Sequence, residues 1–137
     1  MKYLLTIISV CLSVSFIPAQ TTDSSPQNTE ITFEYTTYNF DTLQYAEEAE
    51  CVFPYTNTGK DPLIISKIVS TCGCTIPHSS RAPLAPGETA HVTVSYNTRR
   101  SGKFSKNIQV HSNATNSPVV LTLQGIVKQN KNKFIIE

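Results

Sequence analysis

"ETAHVTVSYNTRRSGKFSKNIQVHS", Glu88–Ser112, decides the fold class. In its first half Ala90, Val92, Val94 and Tyr96 recur at every second position, separated by His91, Thr93 and Ser95. Side chains on a strand alternate between faces, so this spacing predicts a half-buried strand with His91 turned to solvent. "RRSGKF" (Arg99–Phe104) interrupts the pattern with a glycine-bearing turn. Ile108 and Val110 then restore it in a second strand. The bases around the turn, Arg99, Arg100, Lys103 and Lys106, read as a solvated hairpin tip.

The same grammar extends outward in both directions. "ITFEY" (Ile31–Tyr35) places Ile31, Phe33 and Tyr35 on one face, and "YNFDTL" (Tyr38–Leu43) continues it or pairs with it. "ECVFPYTN" (Glu50–Asn57) puts Cys51, Phe53 and Tyr55 together; Pro54, which has no N–H, predicts an edge or a bulge there. "NTGKDP" (Asn57–Pro62) and "APGE" (Ala85–Glu88) are turns. "LIISKIV" (Leu63–Val69) is a β-branched run that fits a buried strand, and "PVVLTLQGIV" (Pro118–Val127) closes the series. The pattern predicts an all-β, immunoglobulin-like β-sandwich of about seven strands, with a closed barrel as the alternative. Its expected core is Phe53, Tyr55, Ile64, Val92, Val94, Ile108, Val110, Leu121 and Leu123, with Ile64 open to exchange of faces with Leu63 or Ile65.

The chain starts with a basic Met1-Lys2, an apolar run of 15 residues (Tyr3–Ile17) and a small residue at Ala19. That is the build of a signal peptide, 1–19, and it is short of the roughly 20 residues that span a bilayer. "ISVC" is a poor lipobox around Cys11. The expected domains are therefore the signal, a flexible polar linker at 20–30, the sandwich at 31–127 and a tail at 128–137. The expected location is periplasmic or secreted, with no membrane span after cleavage. Without Lys2 the chain carries 10 bases and 10 acids, which implies neither nucleic acid nor an anionic membrane as partner. Eight acids and one base fall within Gln20–Asp61; nine bases and two acids follow. Interleaved strands would bring these halves face to face.

The ordered motifs "NTGKDPLIISKIVSTCGCT", "PLAPGE", "SGKFSKNIQVHSNA" and "LTLQGIV" resemble a bacterial envelope family defined only as a domain of unknown function and marked by Cys-Gly-Cys-Thr. The resemblance spans about Ile31 to Val127. It implies an immunoglobulin-like fold of the major-sperm-protein and abnormal-spindle–hydin kind and a place in the bacterial envelope, and it supplies no catalytic residues. Two positions depart from it. Family members often carry Phe-Gly-Thr where this chain has Phe40-Asp41-Thr42, and Cys51 stands where an ordinary core residue is expected.

The motif of possible function is Cys72, Gly73, Cys74 and Thr75. Removal of Cys11 with the signal leaves three thiols, so at least one lacks a partner in the monomer. Cys51, in phase with Phe53 and Tyr55, reads as an inert core thiol. Three states are open to Cys72 and Cys74. One is a turn of small residues held by Thr71 and Thr75, in which Gly73 takes dihedrals closed to β-branched residues and Gly73→Val costs more than Cys74→Ser. The second is a disulfide or redox pair, worth about 1.6 kcal/mol of chain entropy against about 3.4 for a Cys51–Cys72 bridge. The third is a soft-metal site for copper or zinc with His78 as a further ligand.

"NAT" (Asn113–Thr115) fits a glycosylation sequon and reads as turn chemistry. "FII" (Phe134–Ile136) could add to a sheet edge. No nucleophile elbow, phosphate loop or paired-carboxylate motif occurs, and no cofactor is implied. The functional expectation is an exported, non-enzymatic module that binds another cell-envelope protein. The alternative is a thiol redox or copper-binding protein acting through Cys72 and Cys74.

Overall fold

The computed structural model describes residues 28–129. The expected signal, most of the expected linker and the "FII" stretch lie outside the described residues. Eight strands form: β1 (Ile31–Phe33), β2 (Thr37–Gln44), β3 (Glu48–Asn57), β4 (Ile65–Ser70), β5 (Thr75–Ser79), β6 (Thr89–Asn97), β7 (Gly102–Ser112) and β8 (Val119–Lys128). They make two four-stranded sheets, β1-β3-β6-β5 and β2-β8-β7-β4. Every pairing is antiparallel except β2 with β8. The architecture is an immunoglobulin-like β-sandwich of two packed sheets. Acid-rich β3 lies against β6, and β2 against β8, so the two halves of the chain do interleave.

The core follows from period two. Phe53 and Tyr55 of β3, Val92 and Val94 of β6, Ile108 and Val110 of β7, and Leu121 and Leu123 of β8 all face inward and are buried. Ile64 is the exception, at 41 % exposed. Its neighbours take the core instead: Leu63 bridges Leu84, and Ile65 opens β4 opposite Ser112. Alternation then turns Ile64 outward, where its N–H donates to Asn113 Oδ1 and its carbonyl accepts from Asn113 N–H. "LIISKIV" is correspondingly not a fully buried strand, because β4 is the edge of its sheet.

"ITFEY" and "YNFDTL" neither continue nor pair. The chain changes sheets between them, β1 joining β3 and β2 joining β8. Pro54 explains where β1 stops. Its carbonyl accepts the Glu34 N–H at 3.1 Å. On a strand the N–H of a residue points the same way as its C=O, so the missing donor of Pro54 faces β1 and the ladder cannot continue. Asp41 explains the first departure from the resemblance. It sits at a bulge in β2 with φ 53°, in the left-handed region that glycine favours. Its N–H donates to Asn39 Oδ1 at 3.0 Å, the short polar loop that lets an aspartate stand there.

The chain is tied down before β1. Thr29 is fully buried; its carbonyl accepts the Thr115 N–H, while the carbonyls of Asn28 and Glu30 accept from Lys60 and Thr58. Asn28–Glu30, within the segment expected as linker, are thus held against the sandwich. The Asn113 amide is committed to Ile64 and Pro62. "NAT" works in the fold as turn chemistry.

Candidate functional site

The Cys-Gly-Cys loop joins β4, at the edge of one sheet, to β5, at the edge of the other. Ser70 shapes its start: the hydroxyl donates to the Cys72 carbonyl at 2.8 Å and accepts the Cys72 N–H at 3.4 Å. Thr71 N–H donates to Asn107 O, and Asn97 N–H to Cys74 O, so each end of the loop is stitched to its own sheet. Between these anchors Cys72 and Cys74 form a disulfide across a Cα separation of 5.3 Å. That distance lies within the usual range of about 4.4–6.8 Å.

The disulfide overturns the reading of two unbonded thiols at a glycine turn. Positive φ occurs at Gly87 and Gly102, not at Gly73, and a Cβ on Gly73 would meet nothing within 4 Å. Gly73→Val therefore faces neither a left-handed backbone nor a clash. Cys74 is buried at 6 % exposure and bonded, so the expected order of the two substitutions reverses under oxidising conditions. The soft-metal set does not assemble in this state either. Sulfurs bonded to each other are not thiolate ligands. His78 stands exposed on β5, and no group of three His, Cys, Asp or Glu residues is placed to hold a metal ion among the described residues.

The two sulfurs have unlike surroundings. Cys72 is half-buried and Cys74 buried. Thr75, itself buried, places its hydroxyl 3.6 Å from Cys72 Sγ. A disulfide sulfur carries no proton, so Thr75 is the donor.

Cys51 is free and buried, as its phase required. Desolvation first, and the charge of Glu50 second, push its thiol from 9.0 up to about 12. This links stability to alkaline pH. Between pH 9 and about 12 the unfolded chain ionises at Cys51 while the folded chain does not. Stability is full below that window and falls through it by up to about 1.4 kcal/mol per pH unit. Urea midpoints of the wild type and Cys51→Val should run in parallel below pH 9 and diverge above it, the wild type losing more. Parallel curves throughout would place the thiol in contact with water.

Next to the disulfide, the sheet edges differ. At β5, Asn97 N–H bonds Cys74 O, so by alternation Thr75, Pro77 and Ser79 turn their main chain to the open side. Pro77 removes the central donor. At β1 the Asn116 amide closes the edge, accepting from Ile31 N–H and donating to Ile31 O. At β2 the Asp41 bulge and the Glu47 carboxylate, which accepts the Gln44 N–H, do the same. At β4, Thr71 bonds Asn107, so Ile68 and Ser70 face the open side. Past the irregularity at Ser66, β4 has no proline, bulge or side-chain cap on that side among the described residues. It borders a groove of about 420 Å³ lined by Ile65, Lys67, Ile68, Pro77, His78 and Arg81, among others. Sequence reading missed this groove because β5 was not foreseen.

The immunoglobulin-like sandwich with a Cys-Gly-Cys-Thr crossover defines the class of this protein. The chain belongs to the family described as "Protein of unknown function (DUF1573)", matched over residues 31–127. No curated protein matches it. Solved structures share the fold. A protein of unknown function from Porphyromonas gingivalis W83 aligns with a TM-score of 0.65 at 12 % identity, over 73 % of this chain and 47 % of its own. This chain thus spans about half the length of that protein. The ASH/PapD-like domain 7 of human CEP192 aligns at 0.65 and 15 % identity, over 88 % and 99 %. The CsuC–CsuE chaperone–tip adhesion subunit complex of Acinetobacter baumannii pili aligns at 0.51 and 15 %, over 74 % and 57 %.

Proposed function

We propose that the protein is an exported, non-enzymatic immunoglobulin-like module of the bacterial periplasm or cell surface that binds another envelope protein along β4. The observation that carries this reading is the contrast between edges. β1, β2 and β5 each carry a device that blocks strand pairing, and the stretch of β4 beyond its irregularity at Ser66 carries none among the described residues. An extended segment laid beside β4 would pair with the main chain of Ile68 and Ser70, the mode of recognition in which an added strand completes a sheet. Lys67 and Arg81 line the groove alongside, so the complementary segment is an acidic one.

The test uses the full chain in the cells that produce it. A photo-crosslinking residue replaces Ile68 in one version and Val120, on the far outer face of β8, in another. The expected result is one discrete adduct from position 68 that disappears when Lys67→Glu and Arg81→Glu are introduced together. No adduct at position 68, or the same adduct from position 120, would remove β4 as the binding edge.

A further inference from the structure

We propose that the Cys72–Cys74 disulfide is a thiol–disulfide exchange site, attacked at Cys72, whose reaction partner is a protein dithiol. The proposal is independent of the β4 edge.

The bond adds little to stability. Chain entropy rewards a cross-link least when the loop it closes is this short. The Ser70 hydroxyl and the main-chain bonds of Thr71 and Asn97 already define the loop. A cross-link that does so little as a staple is better explained by its chemistry, and that chemistry has a direction here. Cys74 Sγ belongs to a buried residue, while Cys72 is half-exposed beside an exposed Gly73 with open space where a side chain would be. An incoming thiolate reaches Cys72. Exchange rates depend on which sulfur is accessible and on how well the departing thiolate is stabilised.

The steps balance with a dithiol as the only co-reactant. One thiolate of the partner attacks Cys72 Sγ. A mixed disulfide forms, the Cys72–Cys74 bond breaks, and its electron pair leaves on Cys74 Sγ, which takes a proton from water. The partner's second thiolate then attacks its own sulfur in the mixed disulfide and releases Cys72 as a thiolate. The partner is oxidised by two electrons and this chain is reduced to two thiols. Thr75 acts in the second step: its hydroxyl, already directed at Cys72 Sγ, donates to the thiolate as it forms. Cys51, buried on β3, takes no part.

Reduced glutathione is the probe, and its mixed disulfide is trapped by quenching at early times, before a second glutathione or the freed Cys74 thiolate resolves it. The oxidised full chain is treated under native conditions, quenched in acid and mapped by peptide mass. Glutathione is expected on Cys72, at a rate first order in glutathione and changed less than about two-fold by urea below the unfolding transition, because attack on an accessible bond requires no unfolding. Dithiothreitol in its place should carry the same folded chain through to two thiols. Glutathione on Cys74 would overturn the assignment of the attacked sulfur. A rate that climbs with the unfolded fraction would make the bond a structural one and overturn the proposal.

Discussion

Gly59→Ala should lower the stability of the sandwich by about 3 kcal/mol or more, at the severe end of what overpacking costs. A Cβ on Gly59 would lie 2.5 Å from Asn28 O, 2.5 Å from Glu30 N and 2.6 Å from Thr29 Cα. All three are main-chain atoms, so no side chain can swing aside. The segment they belong to is fixed from both sides, by Lys60 and Thr58 of the turn and by Thr115 across the sandwich end. The new methyl must therefore push the segment off the turn, expose the fully buried Thr29 and loosen the start of β1. Gly73→Ala is the matched control. Its Cβ meets nothing within 4 Å, and its cost should stay within about 0.5 kcal/mol. Urea midpoints of the two variants, with the disulfide intact, measure the difference. Equal midpoints would mean that the 28–30 segment is not seated against Gly59.

This contrast shows where sequence reading works and where it stops. Alternation located Val92, Val94, Ile108, Val110, Leu121 and Leu123 because each lies in a strand with one buried face and a regular register. It failed at "LII", where three apolar residues in a row carry no phase; the Leu63–Leu84 bridge and the Asn113 amide decide which one turns out. β5 was invisible because "TIPHS" is short and holds a proline, and it exists because β6 offers it a partner from Tyr96 to Val92. The Cys-Gly-Cys motif was legible as a place but not as a state. Spacing permits a disulfide without requiring one, and nothing in the local sequence marks Gly59 rather than Gly73 as the crowded glycine. Tight approach between segments distant in sequence leaves no mark in a local pattern.

Asn57 is the second such position. Within "NTGKDP" it reads as a turn residue chosen for its backbone, yet its φ is not positive and its side chain is fully buried. Nδ2 donates to Asp61 O at 2.9 Å and to Leu84 O at 2.8 Å, and Oδ1 accepts the Gly59 N–H at 3.0 Å. Its main chain adds bonds to Glu88 and Gly87. One amide thus joins the end of β3, the turn and the loop that leads into β6. Asn57→Ala leaves the Asp61 carbonyl and the Gly59 N–H without partners and takes one of two donors from the Leu84 carbonyl, which keeps the Leu63 N–H; the cost is about 2–4 kcal/mol on the scale of about 1–3 for each buried orphan group. Asn57→Asp should be worse near neutral pH, by about 3–5 kcal/mol relative to wild type, because an ionised carboxylate would face two carbonyl oxygens where two N–H donors stood. Burial and those oxygens raise the folded pKa of the new carboxyl above its unfolded value of about 3.9. The protonated form donates one of the two lost bonds. The deficit of Asn57→Asp against wild type is therefore smallest below that unfolded value and grows as pH rises through the folded one. Urea midpoints of wild type, Asn57→Ala and Asn57→Asp from about pH 4 to pH 7 read this directly. A deficit for Asn57→Asp that is flat with pH, or no larger at neutral pH than that of Asn57→Ala, would show that water reaches the amide and that the junction is held by the main chain alone.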